Sequence, residues 1–190
     1  YRLVNPNDHV NKAQSTNDVI PTAIRLAALP LLSDLEESLK RLEFSFHRKS
    51  VAFHSVVKSA RTHLQDAVPI RLGRDFGAFE RMIRKSLLRI RNAKKDLLEL
   101  NIGGSAAGTG LNTHPQYRRK MVRVLKTLTH FPVRGAEDLV EIMQNMSDFL
   151  NASSALRLLA VDLTKISNDL RLLSSGPQTG LDEITLPPVQ

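Results

Sequence analysis

Apolar residues recur at helical spacing through three long stretches, and this periodicity restricts the fold more than any other property of the chain. In the first stretch Ile20, Ala23, Ile24, Ala27, Leu31, Leu35, Leu39, Leu42 and Phe46 fall close to i, i+3, i+4 spacing. Asn17 or Asp18 is the candidate N-cap, and Pro21 suits a first turn, where its missing N–H costs nothing. Pro30 is expected to kink or split this helix, because it removes an interior bond and crowds the preceding turn. A second helix is predicted from about Arg71 to Leu100, with Phe79, Met82, Ile83, Ser86, Leu87, Ile90, Ala93, Leu97 and Leu98 as its stripe. A third is predicted from Glu137 to Leu173, with an apolar surface spreading nearly all round near 155–161, as in a helix surrounded by others. A shorter helix is predicted over 116–128.

No run alternates convincingly with period 2, so the fold class is all-α. Rods of about 30 residues are roughly 45 Å long. That is long beside a compact globule of this size, whose radius of gyration is roughly 16 Å. The expectation is a long-helix bundle whose core is completed by oligomerisation. Residues 1–18, 50–68, 101–115, 130–136 and 174–190 are assigned to connections.

Composition narrows the function. The 190 residues include no Cys, which excludes a disulfide scaffold, a thiol nucleophile and Cys-based metal sites. No stretch reaches the roughly 18–20 uncharged apolar residues of a membrane span, so no membrane partner is expected. The 27 basic and 19 acidic residues give a net charge of +8. Nucleic acid is not the expected partner. The basic residues of 81–95 run round their helix, and no aromatics interleave with them for base stacking.

Four segments concentrate polar or glycine-rich chemistry. Gly103-Gly104-Ser105-Ala106-Ala107-Gly108-Thr109-Gly110 lacks the Lys-Ser/Thr that a phosphate loop requires, and a helix rather than a strand precedes it. It reads as a backbone-shaping loop. The six histidines at 9, 47, 54, 63, 114 and 130 show no metal-ligand spacing, so no metal and no cofactor is expected. His63 stands out within Arg61-Thr62-His63-Leu64-Gln65-Asp66, a polar loop of the kind that carries binding groups. The run from Asn5 to Asp18 leads straight into the first long helix. A helix start exposes N–H groups and suits a carboxylate, and Ser15, Thr16 and Asn17 would add donors there. Anion binding and ordinary capping both remain open for these three residues.

Taken together, these motifs resemble the aspartase/fumarase superfamily. Asn5 to Asp18 resembles its NPNDHVN-x-x-QSTND block, and Arg61 to Pro69 its second block. Gly108-Thr109-Gly110-Leu111-Asn112 and Asn168 to Pro177 resemble two more, in the family's order. Ser15-Thr16-Asn17 and Ala136 to Glu141 are most similar to the aspartate ammonia-lyase branch, and Asn5 stands where class II fumarases usually carry His. The resemblance implies reversible anti elimination of ammonia from L-aspartate, giving fumarate through an enediolate-like intermediate. It implies that His63 is catalytic and that Ser15, Thr16, Asn17, Thr62 and His63 bind substrate, with Asn5, Asn7 and Asp8 at a secondary anion region. It further implies a cytoplasmic homotetramer with active sites shared between subunits, and a small dicarboxylate as the only other partner. Residues 1–190 correspond to a central portion. The family's N-terminal block belongs before Tyr1, and its mobile loop, with the serine base, belongs after Gln190. On this reading the chain by itself is catalytically incomplete. The alternatives are a class II fumarate hydratase or another lyase of the superfamily, and a non-catalytic structural piece of the scaffold.

Overall fold

The computed structural model describes residues 3–188. The two ends of the predicted 1–190 portion, residues 1–2 and 189–190, lie outside the described residues. Helices dominate, as the periodicity requires. A π-helical turn, Pro6–Val10, precedes α1 (Thr16–Ala52). The strands β1 (Val57–Thr62) and β2 (Gln65–Arg71) follow, then α2 (Leu72–Asp96), β3 (Glu99–Leu100), α3 (Tyr117–Thr129), β4 (Arg134–Gly135), α4 (Leu139–Gln144) and α5 (Ser147–Leu173). Two compact units result. One combines the residues up to Leu35 with Ile90–Ser153; the other combines Glu36–Arg89 with the residues from Ser154 onward.

Three expectations need correction. Residues 50–68 are not an irregular connection throughout: 57–71 form an antiparallel hairpin, with Thr62 opposite Gln65 at its closed end. β3 and β4 also form a short parallel pair. Both pairs are brief and lack a clean alternation, so their sequence carries no period-2 signal. Pro30 does not split α1, which runs unbroken through Pro21 and Pro30. The predicted helix over 137–173 is instead two helices. Asn145 adopts an extended conformation, and its side-chain oxygen accepts the Ser147 N–H at 2.9 Å. This local bond competes with helix continuation while the apolar period runs straight through the break.

The face that α1 buries in the first unit also differs from the simplest reading. Asp18, Thr22, Arg25, Leu29 and Leu32 are buried, whereas Ile20, Ile24 and Leu31 are exposed. Both sets keep helical spacing, but the buried one is partly polar and so escapes an apolar count. Its polar members are bonded to their neighbours, although Nε and Nη2 of Arg25 have no hydrogen-bond partner among the described residues. Arg25 donates to Asp148 at 2.8 Å and to the Asp96 carbonyl at 3.2 Å, and its guanidinium stacks 4.8 Å from the Phe149 ring centroid. Thr22 donates to the Asn101 side chain at 2.9 Å.

Asp18 holds the helix start and the glycine loop together. Ser15 is the N-cap, in place of Asn17 or Asp18. Its hydroxyl accepts the Asn17 N–H at 3.2 Å, and the Asp18 carboxylate reaches back to the Ser15 N–H at 2.9 Å. This reciprocal pair is a capping box with Asp in the Glu position. The other Asp18 oxygen accepts the N–H groups of Gly103 and Ser105, each at 3.0 Å. Three N–H donors and the positive end of α1 thus compensate a carboxylate with 0% exposure. The loop has the backbone-shaping role read from its sequence. Gly108 has φ +85°, and a Cβ there would lie 2.7 Å from the backbone of Val140.

In the second unit Leu39, Phe46, Phe76, Phe79, Ile83, Leu87, Leu159 and Ile166 are among the buried residues. The Phe46, Phe76 and Phe79 rings pack with centroids 5.7–6.4 Å apart, and Phe53 adds a contact to Phe76 at 5.2 Å. The predicted α2 stripe is buried at Phe79, Ile83, Ser86 and Leu87, and Ser86 donates to Asp162 at 2.7 Å. Arg84 bonds Glu43 and Glu80 on an exposed face. On α5, Ala155 and Leu159 are buried, while Leu156, Leu158 and Val161 are exposed in this chain.

The tight approach at Gly108 gives a stability prediction. Gly108→Ala requires φ > 0 for a residue with a Cβ and forces that Cβ into the Val140 backbone. It should lower stability by about 1–3 kcal/mol or more. A denaturation midpoint equal to that of the unsubstituted protein would contradict this account of the loop.

Candidate functional site

The sequence-predicted residues fall into two groups, one in each unit. In the first unit the capping box of α1 brings Ser15, Thr16 and Asn17 together. The Ser15 hydroxyl is engaged by the Asn17 N–H, and the Asn17 side chain donates to the Ala106 carbonyl at 2.8 Å. The Asn17 carbonyl accepts from the Asn101 side chain at 3.1 Å. Capping therefore accounts for Ser15, and the amide of Asn17 is oriented by the glycine loop. Thr16 and Asn17 line an open cavity of about 450 Å³ with Ala106, Ala107, Val140 and Gln144. The arrangement presents a hydroxyl and an amide at the positive end of a helix, a setting suited to an anionic group.

Asn5, Asn7 and Asp8 lie in the π-helical turn upstream and are exposed. The Asn5 side chain accepts the N–H groups of Asn7 and Asp8 at 2.8 and 3.0 Å. His9 Nδ1 accepts the Asn5 N–H at 2.8 Å. In this conformation the backbone donors of the turn are engaged by its own cap.

In the second unit Thr62 and His63 sit at the tip of the β1–β2 hairpin. The two turn residues, His63 and Leu64, have φ +50° and +62°. A two-residue turn with both central φ values positive matches the twist of a hairpin, but Asn and Gly are its usual occupants. Leu64 is a bulky residue held in the left-handed region, and such strain concentrates at functional sites. The predicted polar loop is therefore a strand end with a tight turn. Thr62 and His63 are exposed, and His63 faces a cavity of about 510 Å³.

That cavity contains charges that the motif reading did not single out. Lys58, Arg61, Asp75, Lys165 and Asp169 line it. Glu183 joins Lys58 and Arg61 from the segment after α5. Its carboxylate lies 2.8 Å from Lys58 Nζ and accepts a bond from the Arg61 guanidinium, while Lys58 also reaches Asp75 at 3.2 Å. Burial pushes the Glu183 carboxyl up, but Arg61 and Lys58 outweigh burial and leave it below its ordinary value. The bond to Glu183 in turn raises Arg61. Glu183 was missed because 122 residues separate it from Arg61, and only the fold brings them together. Among the described residues no group of three or more His, Asp or Glu side chains is arranged to hold a metal ion. No helix among them is long and apolar enough to cross a membrane.

A family model described as lyase matches residues 2–190, and the chain belongs to that family. The aspartate ammonia-lyase of Escherichia coli (strain K12) is 46% identical over 190 residues, covering all of this chain and 40% of that protein. The aspartate ammonia-lyase of Bacillus subtilis (strain 168) is 44% identical over 187 residues, covering 98% of this chain and 39% of that protein. Among solved structures, a fumarate lyase:delta crystallin from Brucella melitensis bound to cobalt superposes with a TM-score of 0.96 at 44% identity. It covers all of this chain, which covers 41% of it. A recombinant class II fumarase from Schistosoma mansoni superposes with a TM-score of 0.91 at 31% identity, over 98% of this chain and 42% of that one. The chain thus spans about two fifths of the length of the curated relatives it matches. The kinship read from the four motifs and the helical-bundle fold class are both borne out.

The depressed Glu183 carboxyl carries a pH prediction. An unfolded glutamate titrates at about 4.3. The stability contributed by Glu183 is fully present above that value and is lost as pH falls through the lower folded value. The stability gap between the wild type and Glu183→Gln should be widest near neutrality and narrow as pH falls through this window. Denaturant titrations at a series of pH values read it; a gap independent of pH would contradict the assignment.

Proposed function

We propose that the protein carrying this chain is an aspartate ammonia-lyase, which eliminates ammonia reversibly from L-aspartate to give fumarate. The observation that carries this reading is the 46% identity to an aspartate ammonia-lyase across all 190 residues. A general base, the serine of the mobile loop on the family resemblance, takes the proton from the carbon beside one carboxylate. The electron pair of the broken C–H bond moves into that carboxylate as an enediolate. The C–N bond then breaks on the opposite face, and ammonia departs. The carboxylate gains a second negative charge at the intermediate, so fixed donors aimed at its oxygens lower the barrier.

Each group contributes in its own way. Thr16, Thr62 and His63 bind substrate carboxylates, with His63 a catalytic residue at the developing charge. Asn17, oriented by Ala106, lies near the amino group, and Ser15 keeps the helix start in place. Asn5, Asn7 and Asp8 form the secondary anion region. The protein is a cytoplasmic homotetramer whose active sites are shared between subunits. The exposed apolar residues Ile20, Ile24 and Leu31 on α1 and Leu156, Leu158 and Val161 on α5 support such an association.

The whole protein, incubated with fumarate and ammonium, should form aspartate. Thr62→Val and His63→Asn should each lower kcat/KM by about 100-fold or more. Malate as the product would replace this reading with fumarate hydration. The absence of any product would favour a non-catalytic scaffold.

A further inference from the structure

The charged group around Glu183 reaches the strand that ends in Thr62 and His63. We infer that Glu183 is a positioning residue, which sets the direction of the hairpin tip through Arg61 and Lys58. The inference rests on the proposed role of Thr62 and His63 in binding substrate.

The backbone around Glu183 is fixed by its own turn. After α5 ends, the Asp182 N–H donates to the Ser175 carbonyl at 2.7 Å, and the Glu183 N–H donates to the Leu173 carbonyl at 2.9 Å. The Leu181 N–H donates to the Ser175 hydroxyl at 3.1 Å. Gly180 allows this fold-back, since a Cβ there would meet the Ser175 carbonyl carbon at 2.2 Å. Glu183 is thereby carried on the end of a long helix and presented to β1.

The hairpin needs such an anchor. A two-stranded hairpin is marginal without packing against something else. This one is irregular where Ser59 pairs with Pro69 but Arg61 pairs with Asp66, so Ala67 and Val68 oppose Ala60 alone. A bulge of this kind bends the strands and raises their local twist. Lys58 lies on one side of the irregularity and Arg61 on the other; Glu183 accepts a hydrogen bond from Arg61 and forms an ion pair with Lys58. Arg61 immediately precedes Thr62. The Lys58, Arg61 and Glu183 side chains are 11, 18 and 14% exposed, so the group is far less hydrated than a surface ion pair. Lys58 adds a bond to Asp75 in the first turn of α2. The hairpin direction is therefore set by α2 and by the segment after α5, not by the turn at its tip.

The test compares the whole protein with its Glu183→Gln, Glu183→Asp, Arg61→Gln and Glu183→Gln/Arg61→Gln forms. We expect Glu183→Gln to raise KM for aspartate by about tenfold, with a smaller change in kcat. Glu183→Asp keeps the charge on a shorter arm and should recover part of the loss. The double variant should be no worse than the poorer single one. The His63 ring NMR signals should shift in Glu183→Gln without substrate, a readout that does not depend on activity. Wild-type kinetics and unmoved His63 signals in Glu183→Gln would overturn the inference. So would additive losses in the double variant, or equal losses in stability, kcat and KM that Glu183→Asp does not relieve. If Glu183→Gln fails to fold, Glu183→Asp alone decides, and unmoved His63 signals there count against it. A wild type that is inactive while its His63 signals still respond to Glu183→Gln would sink the functional reading and leave the positioning role standing.

Discussion

The carboxylate of Asp18 is the interaction on which the first unit depends. It is fully buried with no cationic partner among the described residues, and its stability comes from geometry: three backbone N–H donors and the start of α1. A single side chain thereby closes the capping box, sets the glycine loop and fixes where Thr16 and Asn17 project. The loop completes the arrangement by holding the Asn17 amide through the Ala106 carbonyl. Glycine is required at 108 because the chain passes against Val140 there with no room for a Cβ. The backbone-shaping role of the loop and the proposed binding role of the helix start are thus two aspects of one construction.

The second unit solves a similar problem with charge pairs. Its candidate residues stand at the end of a bulged hairpin, and Phe79 of the aromatic packing lines the same cavity as His63. A strained turn presents His63, and partly buried ion pairs hold the strand beneath it. Removing one member of such a group strands the others, so its components are expected to act as a set.

The helices and the family were legible in the sequence because both are written locally. The α2 stripe follows the helical period, and the four motifs are contiguous runs. What stayed hidden depends on distant or polar partners. The line Asp18, Thr22, Arg25 reads as surface until Asn101, Gly103 and Asp148 are placed against it. The hairpin carries no clean alternation, and the break at Asn145 hides under a continuing apolar period. Among the site residues, the sequence places Ser15, Thr16 and Asn17 at a helix start, as observed. It places His63 in a polar loop, where the structure has a tight turn between strands. Nothing near Glu183 in sequence points to Arg61.

Amide hydrogen exchange in Asp18→Asn tests the central claim most directly. Loss of the charge weakens charge-assisted bonds of about 1.5–3 kcal/mol each. The account predicts that Gly103, Ser105 and Ser15 lose protection together, while the amides of α2 in the second unit keep theirs. Unchanged protection at Gly103 and Ser105 would show that the loop holds its shape without Asp18, and would contradict the account.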